Sequence, residues 1–205
     1  YQAGKAITDG VYNTVLGYDA FITANSGESY NTVIGWEAGK TTDHPSTDHN
    51  VFIGAKAGYG QTGYSLGECV AIGSECFDGT GANSVSGVVV IGKGAMSGVV
   101  ESTAIGSVAI GHSALNALTS GAKNIAIGYD AMGDMTIGGN NIAIGYESMN
   151  ALVGDDSTNC GHRNIALGTD AMGGVNNDGH VDCEMDGNIA IGYTALQGGS
   201  VSGAV

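Results

Sequence analysis

The sequence predicts an all-β fold, a parallel β-solenoid (β-roll) of about eleven coils of 17–24 residues that runs through residues 1–205 as one continuous repeat segment. Two observations predict it. Ile-Gly or Leu-Gly pairs place glycine at Gly17, Gly35, Gly54, Gly73, Gly92, Gly111, Gly128, Gly145, Gly168 and Gly192, at spacings of 18, 19, 19, 19, 19, 17, 17, 23 and 24 residues. The composition, with 37 Gly, 9 Tyr, 3 Phe and one Trp, lacks the bulky side chains of a globular core, and a single Pro (Pro45) excludes collagen. Stacked at ~4.8 Å per coil, the coils make a rod about 50 Å long with almost no helix.

Each coil opens on a pentad such as Asn124-Ile125-Ala126-Ile127-Gly128, which alternates branched and small apolar residues at period two and so reads as a strand. Both faces are apolar enough to be buried, the mark of parallel pairing. The glycine that closes the pentad is a corner, with positive φ or a backbone approach that a Cβ would block. A second short strand is expected after that turn. Three residues past the glycine every side chain is small: Ala20, Ala38, Ala57, Cys76, Ala95, Ala114, Ala131, Ser148, Ala171 and Ala195. The next residue is large and apolar from Phe21 to Leu196, with Gly39 and Gly58 as exceptions.

Other columns share this register. Asn13, Asn31, Asn50, Asn124, Asn141, Asn164 and Asn188 stand four residues before the glycine, either as an amide ladder between coils or as turn formers. Tyr18, Trp36, Tyr129, Tyr146 and Tyr193 follow it directly, as shields beside an assembly groove or as a ligand platform. The acidic residues one further on (Asp19, Glu37, Glu75, Asp130, Glu147, Asp170) are expected on a solvated face.

Charge and hydropathy exclude several roles. Six Lys and Arg against a net charge of −14 cannot track a phosphate backbone, so nucleic acid is not an expected partner. No apolar run of about 18 residues predicts membrane insertion. One strict aliphatic anchor per coil is too few for a hexapeptide-repeat acyltransferase. Thr14 and Thr32 give way to Val and Ile, unlike the threonine ranks of an ice-binding face, and the periodic acids do not form the paired carboxylates of a glycosidase. The expected protein is not an enzyme and uses no cofactor.

The Asn-x-Ala-Ile-Gly-x-x-[Ala/Ser] unit resembles the head repeat of YadA-type trimeric autotransporter adhesins, and Asn31-Thr32-Val33-Ile34-Gly35-Trp36-Glu37-Ala38-Gly39 is similar to repeats of phage tail fibres. The resemblance covers essentially the whole chain. It implies a left-handed parallel β-roll, three chains side by side, and attachment to a surface. YadA-type heads favour shorter coils of about 14 residues, a departure that bears on trimer geometry. The function expected is that of a structural, adhesive fibre shaft, extracellular or in a virion: a phage tail fibre segment, or alternatively a bacterial surface adhesin or secreted filament. A cell-surface receptor or glycan would then be met through other parts of the fibre.

Self-association also follows from the residues. The column Val15, Val33, Phe52, Ala71, Val90, Ala109, Ala126, Ala143, Ala166 and Ala190 lies opposite the Ile column, and a thin roll leaves one of the two uncovered. The Val/Ala stripe is the expected homotrimer contact, so Glu at Ala126 or Ala143 should disrupt assembly. Tyr1-Gln2-Ala3-Gly4 begins in mid-repeat and residues 200–205 echo 84–89, as expected of a fragment of a longer fibre. Residues 150–163 and 173–187 read as insertions, and His44 and His49 mark a smaller protrusion; surface decoration and glycan or receptor contact are both open for these.

The register also places cysteines. Cys160 lies eight residues before Gly168 and Cys183 nine before Gly192, in successive coils ~4.8 Å apart, within the reach of a disulfide. A metal site of Cys160, His162, His180 and Cys183 is the rival, and free thiols are the third possibility. Cys76 replaces an alanine and reads as a buried thiol, and Cys69 replaces an asparagine.

Overall fold

The computed structural model describes residues 2–25, 27–60, 63–79, 81, 83–98, 100, 104–150, 161–174 and 186–198. Ten three-residue strands stack into one parallel sheet: β1 (Thr14–Leu16), β2 (Thr32–Ile34), β3 (Val51–Ile53), β5 (Val70–Ile72), β7 (Val89–Ile91), β8 (Val108–Ile110), β9 (Ile125–Ile127), β10 (Ile142–Ile144), β11 (Ile165–Leu167) and β12 (Ile189–Ile191). Two shorter strands, β4 (Leu66–Gly67) and β6 (Val85–Ser86), pair with each other. The register follows the sequence columns without slip: Ala126 pairs with Ala109 and with Ala143, and Ile34 with Leu16 and with Ile53. A parallel β-solenoid is therefore the fold, with ten rungs among the described residues.

What sets the rung height is the corner glycine. From Gly17 to Gly168 its φ lies between 134° and 142°, and a Cβ built there would stand 2.2–2.6 Å from the carbonyl oxygen of the next corner glycine. No side chain fits, which is why these positions are glycine throughout. Around the rest of the coil the backbone continues the ladder. The amide two residues past the corner donates to the preceding rung, as Glu37 N to Tyr18 O at 2.9 Å, and the amide four past donates to the following one, as Phe21 N to Ala38 O at 2.9 Å.

The segment after the glycine is not a strand. Its second and fourth residues are left-handed in coil after coil, as at Asp130 (φ 49°) and Met132 (φ 53°), so the chain coils there instead of extending. Among the described residues the expected second strand occurs instead late in the return segment, as β4 and β6 only. In those two coils the asparagine is replaced by Cys69 and Val88, and backbone bonds such as Val85 N to Ser65 O at 3.0 Å tie the return segments together.

Left-handed geometry at large apolar residues has a packing cause. Phe21, Phe77, Met96, Leu115, Met132, Met149 and Met172 all have positive φ and all are fully buried. A left-handed L-residue costs about 1–2 kcal/mol. Burying a Met or Phe side chain returns about 1.5–3 kcal/mol, so turning the side chain inward at the bend offsets the strain. Two successive coils use glycine at that place, Gly39 and Gly58; the middle strand residue of the second is Phe52, in a column otherwise of Val and Ala, while the first keeps Val33. A Cβ on Gly58 would meet the Phe52 ring at 2.5 Å, and one on Gly39 would meet Phe21 at 3.1 Å and Phe52 at 3.2 Å. The volume has moved across the core from one column to another.

That exchange is testable by a double-mutant cycle in urea at fixed protein concentration. Phe52→Ala alone should cost about 3–5 kcal/mol and Gly58→Met alone about 1–3 kcal/mol through overpacking. Together they restore the pattern of the neighbouring coils, and a coupling energy of at least ~1 kcal/mol is expected.

Candidate interaction face

The columns of the main sheet divide by burial, and not as the sequence reading expected. The middle residue of every main-sheet strand after β1 is buried inside the roll, including Val33, Ala71, Ala126 and Ala143. The Val/Ala stripe is therefore core, not an uncovered surface. The first and third residues point outward and are partly or fully exposed, with Leu16 at 65%, Ile144 at 41% and Ile191 at 68%. The reason is volume: the middle column shares the narrow interior with Ala20, Ala38, Ala57 and their successors and with the large side chains beside them. Branched residues at the strand ends have no room inside.

The outer face carries two aliphatic columns. One is Thr14, Thr32, Val51, Val70, Val89, Val108, Ile125, Ile142, Ile165 and Ile189, and the other runs from Leu16 through Ile34, Ile53, Ile72, Ile91, Ile110, Ile127, Ile144 and Leu167 to Ile191. None is charged, and Thr14 and Thr32 alone are polar. Ten rungs at ~4.8 Å give columns about 43 Å long and ~7 Å apart. The patch is roughly 500 Å², at the upper end of what monomeric proteins leave open.

On one side the face is bordered by the residues that follow the glycine. Tyr18, Trp36, Tyr129, Tyr146 and Tyr193 are all exposed there; His112, Tyr129 and Tyr146 stack at 5.0 and 5.3 Å between ring centres, and Lys56 Nζ lies 5.3 Å from the Trp36 ring. The acidic column next to them is less solvated than expected. Asp19 and Glu37 hold Lys40 Nζ at 3.6 and 2.5 Å with side chains only 16% and 14% exposed. The Asp130 carboxyl is pushed above its ordinary range by desolvation and, among its charged neighbours, by Glu147. His44 and His49 sit in different surroundings, with Pro45 and Ser46 exposed between them. The Thr47 amide donates to His44 O at 2.8 Å with Thr42 and Thr47 buried, and His49 stacks on Tyr30, itself stacked on Tyr12, at the opposite border of the face.

Behind the strands runs the asparagine ladder. Asn164 N and Nδ2 donate to Asn141 Oδ1 at 2.9 and 3.2 Å, and Asn141 makes the same pair of bonds to Asn124 at 3.0 and 3.2 Å. From Asn13 to Asn141 each Nδ2 also clamps a return segment, as Asn31 to Thr47 O at 2.8 Å and Asn141 to Gly161 O at 2.6 Å. Between the two reading alternatives, the amides do bridge coils.

Cys160, Cys183 and His180 lie outside the described residues, and with them the disulfide and the rival metal set. His162, the one member inside, accepts from Gly139 N at 2.9 Å through Nδ1. Cys69 and Cys76 are free and buried. Desolvation pushes their thiols up from the ordinary 9.0, to about 11 for Cys69 and to about 12 for Cys76. No helix among the described residues is long and apolar enough to cross a membrane. Comparison of the chain with protein-family models, with curated proteins and with solved structures returned no match.

Because both thiol pKa values are raised by folding, their contribution to stability is complete below about pH 9 and is lost as the pH rises through the folded values of about 11 and 12. In native protein at pH 8, peptides carrying Cys69 and Cys76 should resist iodoacetamide and become labelled only on denaturation, read by mass spectrometry. Rapid native labelling at either would contradict the burial described.

Proposed function

We propose that this chain is a shaft segment of an extracellular or virion fibre, structural and adhesive in role, that works as a parallel homotrimer joined through the outer face of the ten-stranded sheet. The observation that carries the reading is the pair of uncharged aliphatic columns running the length of that face. A monomer would leave them in water, whereas side-by-side copies with parallel axes bury them rung by rung under closed cyclic symmetry. The sequence resemblance to trimeric adhesin heads and tail fibres supports three copies and a left-handed roll. The Asn31–Gly39 variant favours a phage tail fibre, with attachment to a host surface made through other parts of the fibre. The Asn-x-Ala-Ile-Gly coils at Asn124, Asn141, Asn164 and Asn188 favour the second reading, a bacterial surface adhesin of the trimeric autotransporter type.

Light scattering tests this directly. The intact chain should run at three times its 20.4 kDa mass. Ile127→Glu with Ile144→Glu should yield a folded monomer by circular dichroism, because a carboxylate in a dry interface costs several kcal/mol while an exposed one does not. Ala126→Glu should instead unfold the chain, since Ala126 is core. A wild-type monomer, or an oligomer indifferent to the Ile substitutions, would end the proposal.

A further inference from the structure

Across the seventh to ninth rungs the borders of the aliphatic face are unlike each other in charge. Five residues before each corner glycine stands an exposed residue with positive φ, and in the seventh to ninth rungs these are Lys123 (φ 61°), Asn140 (φ 61°) and Arg163 (φ 59°). On the opposite border the same three rungs carry Asp130, Glu147 and Asp170, two residues past the glycine. The acids are held in file by the ladder: Glu147 N donates to Tyr129 O at 2.9 Å and Asp170 N to Tyr146 O at 3.0 Å. Three carboxylates are thus stacked at about one rung, ~4.8 Å, apart. Neither Lys123 nor Arg163 forms an ion pair with any described residue, and neither does any of the three acids with a Lys or Arg. Within one chain the two borders lie on the order of 15 Å apart across the strand.

We infer that the two borders meet between copies, forming a charged seam in which Lys123 and Arg163 of one chain face the Asp130–Glu147–Asp170 file of the next. This deepens the proposed assembly and rests on it. All strands cross the face in the same direction, so turning one copy onto the next about an axis parallel to the fibre brings the leading border of one against the trailing border of its neighbour. Closure of a ring leaves no net translation, so equivalent rungs sit at equal heights. The cations of rungs seven and nine then stand level with the acids of rungs seven and nine, and the long Lys and Arg stems span the remaining offset. Elsewhere Gly87 and Gly106 come level with Gly94 and Ser113, and Glu68 with Glu75, so the charge match belongs to rungs seven to nine. Alignment is fixed by charge as well as by symmetry, since copies running in opposite directions would not bring these rungs together.

Sedimentation and light scattering on the full chain at low ionic strength test the seam, with circular dichroism to verify folding. Lys123→Glu with Arg163→Glu should weaken self-association by about tenfold or more, and the neutral pair Lys123→Gln with Arg163→Gln by less. Adding Asp130→Lys and Asp170→Lys to the Glu pair should bring association back to within roughly threefold of the starting value. No loss in the Glu pair, or no recovery in the fourfold exchange, overturns the seam while leaving assembly through the face intact. A wild-type chain that stays monomeric overturns the assembly itself.

Discussion

The carbonyl of each corner glycine occupies the space where the preceding one would carry its Cβ, 2.2–2.6 Å away, from Gly17 down to Gly168. Most of the remaining structure depends on that approach. It fixes the rung spacing at a value the backbone can bridge, and the amides around the coil then donate to their neighbours. Because every rung is a translated copy of the last, each residue contacts its own column above and below. Side chains are selected for stacking on their like, which is why the columns can be read as columns.

The same constraint explains how much was legible. The ten Ile-Gly and Leu-Gly pairs sufficed for the fold and for the register, because the glycine tolerates no substitute. Which strand face is the core was misread, because Ile127 is more hydrophobic than Ala126 and hydrophobicity alone assigns the larger residue to the interior. Volume decides otherwise: Ala126 lies in an interior already occupied by Ala131 and Met132, which lie in the same coil. A signal was present in the sequence, since Phe52 interrupts the small middle column in the coil of Gly58, directly after the coil of Gly39, and those two glycines interrupt the large column. Two interruptions that compensate each other identify two columns sharing one space. The left-handed residues left no such trace, because Met132 or Phe77 at positive φ runs against local preference and is decided by burial.

The asparagine column shows a further degree of cooperation between sequence and ladder. From Asn13 to Asn141 each amide serves the rung ahead through its oxygen and a return segment through its nitrogen. The column lapses at Cys69, Val88 and Ser107; backbone pairing of β4 with β6 stands in at the first two, and at the third the Ser107 hydroxyl accepts from Asn124 N at 3.2 Å. The acids next to the aromatic column illustrate the cost of repetition: a fold that stacks like on like also stacks like charges. Asp19 and Glu37 relieve this through Lys40, whereas Asp130 beside Glu147 forms no ion pair with a Lys or Arg among the described residues and has only the His112 imidazole to offset its acidic neighbours.

The ladder between the described rungs has a mechanical consequence. Its hydrogen bonds lie along the rod axis, so tension on the rod loads all the bonds between two rungs in parallel. No one bond yields until its neighbours do, and rupture must be abrupt and local, at a single inter-rung plane. Bending acts differently, opening bonds on one side of the coil while the glycine corner on the other is already at contact distance and cannot be compressed. Such a rod is stiff toward the glycine edge and compliant away from it.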